Sequence, residues 1–132
     1  MSTIRRQFIV PDGLQAVHDR FHYSPGVLAG DTLYIAGQLG RDQDLNPIRD
    51  REAQFSAAFE NVGKVLHAAG ADFRHVVELE TYFTHFQEDF PIVLAIKNRY
   101  FPTDGPHWTG WEVRKLVMGL RLEVKCTAVL TD

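Results

Sequence analysis

The sequence predicts an α+β fold, a β-sheet with two helices packed on its apolar face, and three observations carry that prediction. From Leu120 to Leu130 one side carries Leu120, Leu122, Val124, Cys126, Ala128 and Leu130, and the other Arg121, Glu123, Lys125, Thr127 and Val129, the period of a half-buried strand. Between Arg51 and Ala69, Phe55, Phe59, Val62, Leu66 and Ala69 recur at steps of three and four, the period of one helix face. A second helical stretch follows the next strand, so strands and amphipathic helices are interspersed along the chain.

In chain order, Ile4 to Val10 reads as a short strand, followed by turns at Pro11-Asp12-Gly13 and around Ser24-Pro25-Gly26. Thr32-Leu33-Tyr34-Ile35-Ala36 has the β-branched and aromatic content of a buried strand. Gly40 to Asp50 is polar, contains Asn46-Pro47 and reads as a loop. Asp50 is the expected N-cap of the first helix and Gly70 its C-terminal glycine. In the next strand, Val76 to Phe83, the alternation places Val77, Leu79, Thr81 and Phe83 on one side and Glu78, Glu80 and Tyr82 on the other. The second helix is expected to start near Asp89-Phe90-Pro91, with Asp89 as N-cap, and to reach Tyr100 or Phe101. Trp111 to Val117 reads as a strand, joined to the last one by a hairpin at Met118-Gly119.

The 132 residues (15.0 kDa) amount to one domain, 1–132, with the 45% hydrophobic and 23% charged composition of a globular chain. A net charge of −3 and a pI near 6.0 give no basic field for a phosphate backbone, so nucleic acid is not a favoured partner. No apolar run approaches the roughly 20 residues of a membrane span. Cys126 is the only cysteine, which suits a reducing compartment, and the expected location is cytoplasmic.

Sites with familiar chemistry are scarce. His18 and His22 have the spacing of two ligands on a helix face, but the flanking turns leave little helix there and no third ligand is placed, so no metal is expected. There is no Gly-x-Ser-x-Gly elbow, and the glycines match neither a P-loop nor a dinucleotide fingerprint, so no cofactor is expected. Cys126 lies in phase with apolar neighbours and reads as a buried small hydrophobe. His107 falls in the loop before the final hairpin, where ligand contacts concentrate. The charged sheet face, with Glu78, Glu80, Arg121, Glu123 and Lys125, is either solvated or covered by a neighbouring subunit.

The order of short motifs says more than any one of them. Tyr23-Ser24-Pro25, Gly30-Asp31-Thr32-Leu33-Tyr34-Ile35-Ala36-Gly37-Gln38, Gln54, Asn61, Ala69-Gly70-Ala71-Asp72, Val76-Val77-Glu78, Asp89-Phe90, Tyr100-Phe101-Pro102, Pro106 and Leu122-Glu123-Val124 resemble, in sequence, the Rid (YjgF-like) family of imine/enamine deaminases. The resemblance implies a mixed sheet with two helices on one face, similar to the small trimeric chorismate mutases. It also implies a homotrimer with a barrel-like interior and ligand clefts at the subunit interfaces. Glu123 matches the family's acidic residue on the last strand, proposed to position or activate water, and Tyr23 and Gly37 match residues lining the same cleft. Two positions depart from the deaminating members: Trp108 stands where they carry a carboxylate-gripping arginine, and Leu94 where they carry an asparagine. An indole has one donor and no charge, so it cannot reproduce the guanidinium fork. Either Trp108 stacks on a ligand in the cleft, or Trp108 and Trp111 fill the interface.

The function expected from this resemblance is hydrolysis of a small imine or enamine other than a simple 2-imino acid, in an interface cleft with Glu123 as acid/base and Tyr23, Gly37, Trp108, His107 and Leu94 around the ligand. The alternative is a non-catalytic homotrimer that binds a metabolite or a protein partner. Endoribonuclease activity, attached to the family's name, is disfavoured by the acidic balance of the chain.

Overall fold

Residues 5–131 are described by the computed structural model, so Ile4 lies outside the described residues. Six strands, β1 (Arg6–Ile9), β2 (Gly26–Ala29), β3 (Thr32–Leu39), β4 (Val76–Phe83), β5 (His107–Glu112) and β6 (Leu122–Val129), form one sheet in the order β1-β2-β3-β6-β4-β5. Every neighbouring pair is antiparallel except β4 and β5, which makes the sheet mixed. Helix α1 (Gln15–Phe21) links β1 to β2, α2 (Arg51–Ala68) follows β3, and α3 (Phe86–Tyr100) crosses from β4 to β5.

The period-2 reading of β6 holds residue by residue: Leu122, Val124, Cys126 and Ala128 are at most 1% exposed, while Glu123 and Lys125 are turned to the other face. Against that apolar face α2 sets Phe55, Phe59, Val62 and Leu66, all fully buried, and each such side chain contributes about 1.5–3 kcal/mol. The ends of α2 follow their sequence signals. Asp50 accepts from the Ala53 N–H, and Gly70, at φ 80°, donates to the His67 carbonyl while Ala71 donates to Leu66, closing a Schellman cap.

Several elements differ from the sequence expectation, each for a local reason. The turn expected around Ser24-Pro25-Gly26 ends at Pro25. Gly26 starts β2, which pairs with β3 through a two-residue turn at Gly30-Asp31, with Gly30 at φ 61°. A third, short helix, α1, fits between Gly13 and His22, whose left-handed φ of 61° ends it. A register shift between Val76 and Glu78 buries Val76 and leaves Val77 46% exposed, so Val77 does not share the face of Leu79. Helix α3 starts at Phe86, not at Asp89. Glu112 accepts from the Phe86 N–H, and Asp89 sits fully buried in the first turn.

The largest correction concerns the hairpin expected at Met118-Gly119. The strand there is His107–Glu112, and it pairs in parallel with β4, because a helix crossover returns the chain in the same direction. β6 instead lies between β3 and β4. His107 is therefore a strand residue, not a loop residue, and β5 is an edge. Arg121 also leaves the charged sheet face. Its guanidinium turns to α3, donating from Nε to Asp89 Oδ2 (2.8 Å) and from Nη2 to Asp89 Oδ1 and Glu88 Oε2 (both 3.1 Å). Arg51 Nη1 supplies a third cationic donor to Asp89 at 2.9 Å, so the buried carboxylate ties α2, α3 and β6 together.

Candidate functional site

The open face of the sheet presents three glutamates, and hydrogen bonding separates them. Glu78 Oε1 accepts from the Thr127 hydroxyl at 3.0 Å, and Glu78 Oε2 lies 3.7 Å from His107 Nε2. Glu80 accepts from the Tyr82 hydroxyl at 2.7 Å, and that bond, with burial, pushes the phenol up to about 12. Glu123 is different: among the described residues nothing donates to its carboxylate, although the residue is half-buried.

The place of that carboxylate is set by β3. A bulge between Ile35 and Gln38 brings Gly37 against Glu123, and a Cβ at position 37 would fall 2.6 Å from Glu123 Cδ and overlap its Oε2. Glycine is required there for space and not for a special φ. Burial raises the Glu123 carboxyl above its usual value, while Arg41 and then Lys125 pull it back without cancelling the rise. A carboxyl with no fixed hydrogen-bond partner, raised above its usual value by burial and flanked by cations, can both give and accept a proton.

Arg41 was not legible as a site residue, since it lies in the polar stretch that reads as a loop. Leu39 is the register partner of Glu123, and Arg41 follows two residues later, where its backbone pairs with Pro47. Asn61, buried on α2, donates to the Leu39 carbonyl at 3.0 Å and reaches the Arg41 carbonyl at 3.5 Å, which fixes the segment from below. No motif or periodicity marks Arg41, and its charge acts on Glu123 through the fold alone.

The residues grouped from the sequence do not all meet within one chain. Gly37 and Glu123 touch. Trp108 faces the helix side of the sheet. Its Nε1 donates to the buried Thr81 hydroxyl at 2.9 Å, its ring stacks on Phe90 (centroids 5.5 Å apart, 19° between planes), and Lys97 Nζ sits 5.1 Å from the ring centre. Trp108 and Glu123 thus stand on opposite faces of their own sheet. His107 is on the Glu123 face but beside Glu78, across β4 from β6. Leu94 is exposed on α3, and Tyr23 is exposed in the segment leading into β2. Cys126 is buried, which pushes its thiol up to about 12. Among the described residues no group of three His, Cys, Asp or Glu side chains is placed to hold a metal, and no helix is long and apolar enough to cross a membrane.

Comparison with known proteins follows the same outline. The family model described as Endoribonuclease L-PSP matches residues 14–130. The chain is 29% identical over 130 residues to the RutC family protein YjgH of Escherichia coli (strain K12), covering 98% of each protein. It is 33% identical over 109 residues to the 2-iminobutanoate/2-iminopropanoate deaminase of Homo sapiens, covering 81% of this chain and 79% of that one. Among solved structures, Protein YJGH superimposes with a TM-score of 0.90 at 29% identity, over 96% of this chain and 98% of that one. RidA from the Antarctic bacterium Psychrobacter sp. PAMC 21119 gives a TM-score of 0.78 at 25% identity, over 98% and 99%. The ordered motifs, the mixed sheet with its helices on one face and the match over residues 14–130 agree that the chain belongs to the Endoribonuclease L-PSP family, the Rid (YjgF-like) family.

Proposed function

We propose that this protein hydrolyses a small imine or enamine other than a simple 2-imino acid, in a cleft between subunits of a homotrimer, with Glu123 as the acid/base. The observation that carries the reading is the Glu123 carboxyl itself, half-buried, without a hydrogen-bond donor among the described residues and held in space that Gly37 leaves free. The neutral carboxyl protonates the nitrogen of an imine or the β-carbon of an enamine, either of which gives an iminium. The resulting carboxylate then takes a proton from the water that attacks the C=N carbon, and the tetrahedral intermediate collapses to a carbonyl compound and ammonia. Deaminase relatives at about one-third identity support the reaction class. Trp108 supports the restriction on substrate, because it is uncharged and already committed to Thr81 and Phe90.

A second reading, a non-catalytic homotrimer that binds a metabolite or a partner, is favoured by that same loss of the guanidinium fork. RNA cleavage has less support, given the glutamates of the open face and a net charge of −3.

Ammonia release from a panel of imines and enamines tests the proposal, with light scattering on the same preparation. Acceleration over buffer for at least one member, weak action on 2-aminoacrylate beside an arginine-bearing relative, and a mass near three chains are expected. No acceleration for any member leaves the binding reading, and a monomeric mass removes the interface cleft.

A further inference from the structure

The charges around Glu123 carry one step more, and it rests on the reading of Glu123 as the acid/base. The deaminases' arginine corresponds to position 108 on β5, and in this chain that position has no cation. A guanidinium, that of Arg41, nevertheless acts on Glu123 from its own chain. In the order β3-β6-β4-β5, Glu123 on β6 lies between Arg41, just past the end of β3, and Trp108 on β5.

Three features separate Arg41 from an ordinary surface arginine. Among the described residues its guanidinium makes no hydrogen bond and no ion pair, although the residue is half-buried. Its backbone is fixed, by the pairing with Pro47 and by Asn61 reaching its carbonyl, while Gly40 packs directly on the α2 backbone at Gln54. It also follows by two residues the register partner of Glu123. Four other arginines are spent on carboxylates, Arg51 and Arg121 on Asp89, Arg74 on Asp72 and Arg99 beside Glu52, and Arg49 donates to the Met118 carbonyl; Arg5, Arg6, Arg20 and Arg114 also lack such partners but, unlike Arg41, are exposed. Lys125 also flanks Glu123, but it is exposed, stands opposite Glu80 and carries a point charge without a planar fork.

We propose that Arg41 is the anion anchor of the Glu123 site, receiving the carboxylate of an acidic imine or enamine from the β3 side of the cleft and so setting substrate specificity. The guanidinium fork matches a carboxylate in a bidentate pair. An anchor at Arg41, on the Glu123 chain itself, keeps an anionic ligand class although position 108 carries no cation.

A matched pair of compounds isolates the charge: 3-aminobut-2-enoate and its primary amide, 3-aminobut-2-enamide, each losing ammonia on hydrolysis. The ratio of kcat/KM for acid over amide is expected to exceed about tenfold in the wild type, the worth of at least one charged hydrogen bond, and to fall by about tenfold or more in Arg41→Met. Arg41→Lys should recover part of the ratio, which a merely structural role would not produce. An unchanged ratio in Arg41→Met overturns the proposal. Equilibrium titration with 3-oxobutanoate, the hydrolysis product of the acid probe, followed by NMR, reads the same anchor without turnover. Wild type should bind about tenfold more tightly than Arg41→Met, and equal binding overturns the anchor. Turnover of neither compound by the wild type, with Arg41-dependent binding of 3-oxobutanoate intact, instead defeats the catalytic reading of Glu123 and leaves Arg41 standing.

Discussion

Asp89 and Glu123 are both carboxylates withdrawn from solvent, and the molecule treats them in opposite ways. Asp89 is fully buried on the helix side, where Arg51 and Arg121 satisfy both oxygens with three hydrogen bonds. Glu123 is half-buried on the open face, accepts no hydrogen bond among the described residues, and has Arg41 and Lys125 only as neighbouring charges. A fully buried carboxylate with both oxygens committed to arginines holds elements together and is closed to a ligand. One left unpaired beside cations costs stability and keeps its proton exchangeable.

Substitutions can break this comparison, and their cost to folding falls in a definite order. Arg121→Met should be the most damaging, because it strips two of the three donors from a buried charge; a loss of about 3 kcal/mol is expected, measured by urea unfolding. If Arg121→Met unfolds at the wild-type midpoint, the Asp89 cluster is not what joins α2, α3 and β6. Trp108→Phe keeps an aromatic surface against Phe90 but leaves the Thr81 hydroxyl, which is fully buried, without its donor. About 1–2 kcal/mol should be lost in the same assay. A Trp108→Phe protein of unaltered stability but much weaker ligand binding would show instead that the indole serves the cleft.

Gly37→Ala sharpens the comparison from the other side. The added methyl meets the Glu123 side chain from Cγ outward, and since no hydrogen bond holds that side chain it can turn away as a whole at a cost of about 1 kcal/mol. Thermal melting should barely move while turnover falls at least tenfold. A stability loss as large as that of Arg121→Met would mean that Glu123 is as rigidly held as Asp89.

How much of this could be read beforehand depends on the range of the interactions involved. The burial of Cys126 and the facing of Glu123 follow from strict period-2 alternation on β6, and the ends of α2 from Asp50 and Gly70, signals contained within a few residues. Position 77 went astray because a bulge next to it shifts the register, and bulges leave no mark in an alternation that continues beyond them. The expected final hairpin failed for a longer-range reason: whether β5 pairs with β6 or with β4 is decided by the crossover through α3. Likewise, Arg121 alternates in phase with Glu123, yet an unpaired Asp89 would be so costly that the guanidinium turns to the helices. Arg41 had no local signal at all. The family motifs located Gly37 and Glu123 but could not show that one leaves space for the other.

The pH dependence of folding separates the two carboxylates as well. Glu123 titrates above its usual 4.5 in the folded chain, so between that value and its folded pKa the native state binds more protons than the unfolded one. Its contribution is fully present below pH 4.5 and is lost as pH rises through the folded pKa. Glu123→Gln removes that loss, and its melting temperature relative to wild type should therefore rise with pH from no difference near pH 4.

The most direct test of the central claim is to measure melting and turnover on one sample of Glu123→Gln at neutral pH, with the best substrate found. The amide keeps the shape and cannot ionise, so a trimer is expected that melts at or slightly above the wild-type temperature and has lost turnover. A lower melting temperature with unchanged specific activity would contradict it, and would place Glu123 with Asp89 among the residues that only hold the fold.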